Sequence, residues 1–131
     1  MTRYLADTFA FVEAFVGNPR YGRIMRAGDV FTTALNVLEL HYSLLRQGIA
    51  AEEAERLSRA ALMVVVEVPA EVAMAAARTR LVMNARLRKA GSVLRASYID
   101  AWGYEASRAL ALRFLTGDRI FKGMPGVEFV T

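Results

Sequence analysis

Short apolar runs alternate with helix-like segments along the whole chain, and this alternation limits the fold more than any other feature of the sequence. Five runs have the length and apolar character of strands: Arg3–Ala6, Val30–Thr32, Met63–Val68, Phe114–Thr116 and Val127–Val130. Strands that alternate with helices in this way indicate a mainly parallel sheet with helices on both faces. The sequence therefore predicts an α/β fold, in which the β-branched run Met63–Val68 is a central strand.

The segments between these runs have the periodicity and the end signals of helices. Pro69 suits the first turn of one of them, and Gly91 follows its last residues as a stop signal. The predicted helices are Thr8–Val16, Tyr21–Ala27, Thr33–Arg46, Ala51–Leu62, Pro69–Lys89 and Ser97–Leu112. Because the chain has 131 residues and no linker long enough to separate two units, we expect a single domain over residues 1–131.

The residue types exclude several kinds of site. The chain has no cysteine and one histidine, His41, which excludes disulfides, thiolate metal sites, poly-histidine zinc sites and a cysteine nucleophile. A bound metal would need oxygen ligands, which favours Mg²⁺ or Mn²⁺. The most apolar window, Ala60–Ala77, contains Glu67, Pro69 and Glu71 and so is not a membrane span. The N-terminal residues lack the pattern of a secretion signal, and we expect a cytoplasmic protein.

Positive charge is concentrated in one segment of the chain. The formal net charge is +4, yet residues 78–95 contain no acidic residue at all. The basic residues of this segment are Arg78, Arg80, Arg86, Arg88, Lys89 and Arg95. A basic segment on an otherwise slightly acidic chain indicates contact with a polyanion, and a solvated helix face is the alternative.

Four acidic residues stand where a parallel α/β sheet places its ligand site. Asp7 and Asp118 follow predicted strands, and Glu39 and Asp100 lie early in predicted helices among apolar neighbours. Ligands bind outside the carboxyl ends of the strands in such folds, so we expect the four side chains to meet at one edge of the sheet. Carboxylates without basic partners repel one another, and divalent cations would relieve that repulsion.

Each of these acids also has a purely structural interpretation. Asp7 has the position of a cap for the helix that begins at Thr8. Residues 36–39 and 97–100 both have the spacing of a capping box, and residues 116–119 match a plain turn. These alternatives stay open for each acid taken singly, whereas the convergence of all four on one edge favours a site.

The four acids lie in recognisable motifs. Asp7 lies in YLADTFAFVEAF, and Glu39 lies in TTALNVLELHYSLL. Asp100 and Asp118 lie in the C-terminal segment SYIDAWGYEASRALALRFLTGDRIFKGMPGVEFV. These segments resemble the motifs of the PIN domain family, in particular those of its small VapC-type toxins, and the likeness extends over Arg3–Val130.

The resemblance implies a fold and a chemistry. The fold would be a three-layer α/β/α sandwich with a mainly parallel sheet, in agreement with the alternation of strands and helices. The four acids would hold Mg²⁺ or Mn²⁺ and catalyse the hydrolysis of RNA phosphodiester bonds, with Asp7 and Asp100 in the most direct contact with the metal. Thr8 and Thr116 would hydrogen-bond the carboxylates or a metal-bound water. The basic segment would follow the RNA backbone, or else contact the acidic tail of an antitoxin.

The resemblance leaves three functions open. The leading hypothesis is an endoribonuclease that acts as the toxin of a type II toxin–antitoxin pair, is inhibited by a small antitoxin and forms a homodimer. The second is a housekeeping PIN endonuclease that processes RNA without an antitoxin. The third is a non-catalytic module that binds RNA or protein, and the intact set of four acids argues against it.

Overall fold

The computed structural model describes residues 1–131 and contains one sheet of four strands. The strands are β1 (Arg3–Ala6), β2 (Asp29–Phe31), β3 (Arg113–Thr116) and β4 (Val127–Phe129). All pairings are parallel, and the order across the sheet is β2-β1-β3-β4. The two central strands are therefore β1 and β3, and their carboxyl ends lie side by side.

Six α-helices surround the sheet. They are α1 (Thr8–Phe15), α2 (Pro19–Ala27), α3 (Ala34–Arg46), α4 (Ala51–Leu62), α5 (Val72–Lys89) and α6 (Tyr98–Ala109). A short 3₁₀ helix, Arg119–Phe121, follows β3. None of the helices is both long and apolar enough to cross a membrane.

The alternation of side chains along the central strands divides the core into two halves. Leu5 and Phe114 pair in the register of β1 and β3 and lie in the core that also contains buried residues of α5 and α6. Ala6 and Leu115 are the next pair, and they lie in the core formed with α1, α2, α3 and α4. Successive strand residues face opposite sides of a sheet, so one short sequence supplies both cores. The predicted three-layer α/β/α sandwich is confirmed.

The run Met63–Val68 is not a central strand, and that prediction was wrong. It forms a single parallel bridge, from Val65 to Thr32, with hydrogen bonds from Thr32 N to Val64 O and from Val66 N to Thr32 O. The run therefore lies beyond β2 at the margin of the sheet. Its four valines are only half-buried and Met63 is 87% exposed, so the segment lacks the full burial of a central strand.

Two predicted helix starts also differ from the structure. Helix α3 is capped by Thr33, whose hydroxyl accepts from the backbone N–H of Asn36, so residues 36–39 lie inside the helix and form no capping box. Helix α5 begins at Val72, because Pro69 lies in a preceding turn. In this turn the carbonyl oxygen of Pro69 accepts a hydrogen bond from the backbone N–H of Val72. Propensity indicates that a helix is present more reliably than it locates the first residue.

Replacement of a buried leucine by alanine should destabilise the protein far more than the same change on the surface. Leu115 of β3 is fully buried, and Leu81 of α5 is 74% exposed. We expect Leu115→Ala to lower the free energy of unfolding by about 2–5 kcal/mol through lost burial and a residual cavity. Leu81→Ala should change it by less than about 0.5 kcal/mol. Urea unfolding measures both values, and equal losses would contradict the described core.

Candidate active site

Four acidic side chains line one cavity at the carboxyl edge of the sheet. Asp7 directly follows β1 and Asp118 follows β3, so the two central strands bring these residues together. Glu39 lies in the second turn of α3, and Asp100 lies in the first turn of α6. The cavity has a volume of about 470 Å³ and is also lined by Glu13 of α1. The structure thus gathers the acids that the sequence predicted and adds a fifth.

Glu13 is the acid that the sequence analysis did not place in the site. It interrupts the apolar helix α1, and its carboxylate accepts a hydrogen bond from the Asn18 side chain over 2.8 Å. An acidic residue within a mostly apolar helix is a signal that could have drawn attention to it. The fixed carboxylate adds negative charge to the wall of the cavity.

The Asp7 carboxylate is buried and has no positively charged partner. One oxygen accepts from the backbone N–H of Ala10 over 2.8 Å and so caps α1, and the other accepts from the Thr116 hydroxyl. The pKa of Asp7 is raised from an ordinary 3.8 to about 7, chiefly by burial. The hydrogen bonds from Thr116 and Ala10 lower this pKa, and the negative charges of Asp100 and Asp118 contribute to its rise. The Asp7 side chain therefore both caps α1 and lines the cavity.

The two predicted hydroxyl residues have different partners. Thr116 joins both central acids, because its hydroxyl donates to Asp7 and accepts from the backbone N–H of Asp118 over 3.0 Å. The Thr8 hydroxyl lines the cavity but donates to the backbone oxygen of Asn36 over 3.2 Å, and it contacts no carboxylate by a hydrogen bond. Thr116 thus orients the acids, and Thr8 holds α1 against α3.

Asp100 combines a capping box with a place in the cavity. Its Oδ2 accepts from the backbone N–H of Ser97 over 2.7 Å, and the Ser97 hydroxyl accepts from the Asp100 backbone N–H over 3.0 Å. Burial raises the pKa of Asp100 to about 6, and the negative charges of Glu39 and Asp118 act in the same direction. The Glu39 carboxylate itself forms no hydrogen bond or ion pair and stays available to a ligand in the cavity.

The donor set of the cavity fits a hard divalent cation. All three ion pairs of the protein, Arg56–Glu53, Arg59–Glu55 and Arg113–Glu128, lie outside the cavity, so no arginine neutralises its acids. No three acidic or histidine side chains approach closely enough here to enclose one ion. Oxygen ligands with uncompensated negative charge are nevertheless the chemistry that Mg²⁺ and Mn²⁺ prefer.

Gly117 allows the loop after β3 to pack against α1 and α2. A Cβ atom at this position would lie 2.0 Å from the Tyr21 hydroxyl and 2.7 Å from a ring carbon of Phe9. The Tyr21 hydroxyl is itself fixed, because it donates to the backbone oxygen of Val130 over 2.8 Å. Only glycine permits this close approach, which places Asp118 at the cavity.

The six predicted RNA-binding residues do not line the acidic cavity. The guanidinium of Arg80 donates to Ala96 O over 3.1 Å and stacks on the Tyr98 ring at 4.2 Å, and Arg95 donates to the backbone oxygens of residues 92 and 94. Arg78 and Arg86 line a separate cavity of about 330 Å³. Arg88 and Lys89 are exposed in the last turn of α5. The basic segment is therefore spread over several parts of the surface.

The single histidine has a structural contact instead of a place in the cavity. His41 Nδ1 lies 2.8 Å from the Ser58 hydroxyl and so links α3 to α4. Glu105 likewise accepts from the Thr79 hydroxyl over 2.8 Å and links α6 to α5. Neither residue lines the acidic cavity.

The metal-free protein should lose stability as the pH rises from about 4 towards 7. The folded state binds the Asp7 proton more tightly than the unfolded chain, since the pKa rises from 3.8 to about 7 on folding. Between these values Asp7 alone should lower the free energy of unfolding by up to about 1.4 kcal/mol per pH unit, with little further loss above pH 7. Asp100, whose pKa is raised to about 6, should add to this loss between about pH 4 and 6. Urea unfolding in EDTA at pH 5 and pH 8 measures this difference.

Asp7→Asn should reduce this loss, because its side chain stays neutral at both pH values. Glu52→Gln, which removes an exposed acid of α4, should retain the pH dependence of the wild type. An Asp7→Asn protein with the same pH dependence as the wild type would contradict the assignment of the effect to Asp7.

Solved structures of other proteins share this fold over nearly their whole length. A toxin–antitoxin complex from Klebsiella pneumoniae contains a chain 17% identical, with a TM-score of 0.71 and coverage of 98% of this chain and 96% of that one. VapBC2 from Rickettsia felis, bound to a DNA fragment from its promoter, matches at 15% identity and a TM-score of 0.70, with 98% of each chain covered. PAE2754 from Pyrobaculum aerophilum matches at 15% identity and a TM-score of 0.66, with coverage of 99% and 88%. A search of curated proteins gave no match.

The sequence also matches a family model. The description of that model is "PIN domain", and the match extends over residues 4–127. This range begins in β1, ends at the start of β4 and includes the four acids at the edge of the sheet. The match agrees with the resemblance inferred from the acidic motifs and with the observed parallel sheet. The chain belongs to the PIN domain family.

Proposed function

We propose that this protein is an endoribonuclease that hydrolyses RNA phosphodiester bonds with the help of Mg²⁺ or Mn²⁺. The observation that carries the proposal is the set of four acids, Asp7, Glu39, Asp100 and Asp118, around one cavity that no basic residue lines. Such a set binds hard cations, and hard cations bind phosphate oxygens. Membership of the PIN domain family supports a nuclease. The proposed products carry a 5′-phosphate and a 3′-hydroxyl.

The chain's own residues would orient the ligands before the substrate arrives. Bound metal ions would supply an activated water and neutralise charge on the phosphate and the leaving oxygen. Thr116 fixes one oxygen of Asp7, and the backbone of Ser97 fixes one oxygen of Asp100. Because these contacts hold the carboxylates in place, little reorganisation is needed when metal and substrate bind. Glu39 and Asp118 complete the acidic wall.

We further propose that the protein is the toxin of a type II toxin–antitoxin pair. Two of the similar structures are described as a toxin–antitoxin complex and as VapBC2, which supports an antitoxin partner. Helix α3 presents exposed apolar side chains at helical spacing, namely Leu35, Leu38, Tyr42 and Leu45. Such a stripe is a surface for a second copy or an antitoxin. A homodimer and a cytoplasmic location stay predictions from the sequence.

The basic segment stays a predicted contact for the RNA backbone. Arg78 and Arg86 have no carboxylate partner and lie beside Arg108 at their own cavity, so they are free to bind phosphates. Arg80 and Arg95 already donate to backbone oxygens. We therefore expect Arg78 and Arg86 to contribute more to RNA binding than Arg80 or Arg95.

Replacement of Asp7 or Asp100 by its amide should nearly abolish cleavage. We expect Asp7→Asn and Asp100→Asn to lower the rate of RNA cleavage in Mg²⁺ by at least about a hundredfold, since each removes a charged metal ligand. EDTA should abolish wild-type cleavage, and added Mg²⁺ or Mn²⁺ should restore it. Glu52→Gln is the matched control, because Glu52 is an exposed acid outside the cavity. Wild-type rates in Asp7→Asn, or cleavage in EDTA, would contradict the proposal.

The hydroxyl of Thr116 should matter through the orientation of Asp7. Thr116→Val keeps the shape of the buried side chain but removes the hydrogen bond to Asp7 and the acceptor for Asp118 N. We expect a roughly 10- to 100-fold lower rate and a higher Mg²⁺ concentration for half-maximal activity, as for other groups that orient metal ligands. Thr116→Ser should retain most of the activity. An unchanged Mg²⁺ requirement in Thr116→Val would contradict this role.

A further inference from the structure

A second cavity adjoins the acidic one beside the loop that follows β3. It has a volume of about 500 Å³ and shares two lining residues, Phe9 and Asp118, with the acidic cavity. Arg119 and Lys122 also line it, whereas no basic residue of the segment 78–95 lines either cavity. The cations that border the acidic cavity are therefore those that follow Asp118 in the chain.

Both cations are exposed and neither is neutralised. Arg119 and Lys122 take no part in any of the three ion pairs of the protein, and neither side chain donates a hydrogen bond to the protein. Their backbone is nevertheless fixed, because Asp118 caps the 3₁₀ helix by accepting from Ile120 N over 3.1 Å, and Ile120 and Phe121 are buried. Lys122 Nζ lies 5.9 Å from the ring centroid of Phe129, which also lines the cavity, but it has no carboxylate partner. Two cations without carboxylate partners on an anchored turn are suited to an anionic ligand.

Phe9 supplies an apolar surface between the acids and the cations. It lies in the first turn of α1, two residues after Asp7, and is 40% exposed. Its ring centroid lies 6.3 Å from that of the buried Tyr21, and the two rings are tilted by 49°. Because Phe9 lines both cavities, its ring offers an apolar surface to a ligand that occupies either of them.

We propose that this second cavity binds one nucleotide of single-stranded RNA, next to the phosphodiester bond that is cut. The proposal rests on the proposed function and identifies the part of the substrate that lies beside the acids. Arg119 and Lys122 bind the phosphate that flanks the scissile one, and Phe9 stacks on the intervening base. Asp118 repels a bare phosphate, so the flanking phosphate lies on the side of the two cations.

The combination of groups favours RNA over an acidic peptide. Proteins that bind single strands combine a positively charged groove with aromatic rings on which the bases stack. An acidic peptide would use Arg119 and Lys122 but would leave the Phe9 ring uncovered. The cavity of Arg119 and Lys122 shares Phe9 and Asp118 with the acidic one, so a strand with one phosphate in the acidic cavity can place its next nucleotide there.

Binding of a short RNA in EDTA tests the subsite without cleavage. We propose fluorescence anisotropy with a labelled uridine octamer over a series of salt concentrations. Arg119→Gln and Lys122→Gln should each weaken binding by about tenfold and lower the slope of log affinity against log salt by about 0.7. Phe9→Leu should weaken binding by about tenfold, and Phe9→Tyr should retain the wild-type affinity. Arg26→Gln is the matched control, because Arg26 is an exposed arginine of α2 that lines neither cavity.

Three results would overturn the subsite. The first is wild-type affinity in both cation variants. The second is that octa-aspartate displaces the labelled RNA as well as unlabelled RNA does. The third is that the octamer does not bind the wild type at low salt. Cleavage assays with Mg²⁺ then separate the two proposals. If the wild type cleaves RNA and the cation variants keep its KM, the subsite is wrong and the nuclease stands. If the octamer binds through Arg119 and Lys122 but no divalent metal supports cleavage, the subsite stands and the nuclease is wrong.

Discussion

The hydrogen bond between Thr116 and Asp7 joins the ends of the two central strands, and the candidate site depends on it. Asp7 is only 6% exposed, and its carboxylate meets one backbone N–H and one hydroxyl but no cation. Burial of a carboxylate with so few partners is costly, so the protein either keeps the proton or binds a positive ion there. The same burial that raises the pKa of Asp7 therefore supports the proposal that the cavity binds a cation.

The structural and functional interpretations of the acids turn out to be compatible. Asp7 caps α1 with one oxygen, and Asp100 closes a capping box with one oxygen, yet both line the acidic cavity. Each cap fixes the carboxylate relative to its own helix start, and both helix starts lie at the edge where the strands end. Capping is thus the means by which the fold holds charged side chains in place before any ligand binds.

The order of strands and helices was predictable because each central strand carries its own pattern. Leu5 and Ala6 face opposite cores, and so do Phe114 and Leu115. The run 63–68 was misread because β-branched residues fit any half-buried extended segment, and its edge position depends on contacts distant in the chain. Asp7 and Asp118 were predicted from their places after strands, and Glu39 and Asp100 from their places early in helices among apolar neighbours. The place of Glu13 and the role of Gly117, in contrast, depend on packing between α1, α2 and the loop after β3.

The pattern of charge along the sequence did not identify the cations that border the acidic cavity. The densest basic segment, residues 78–95, lies mainly on α5, and the helix distributes its cations over different directions and contacts. Arg119 and Lys122 are less conspicuous in sequence, yet the short turn after β3 places them at a cavity that shares Asp118 with the acids. Electrostatic interaction falls with distance and screening, so the two cations beside the acidic cavity would act on a phosphate bound there more strongly than the five cations of α5, which do not line that cavity. Under the proposed function, these two cations would act together with the bound metal ions to offset the repulsion between the acidic cavity and a strand that carries one negative charge per nucleotide.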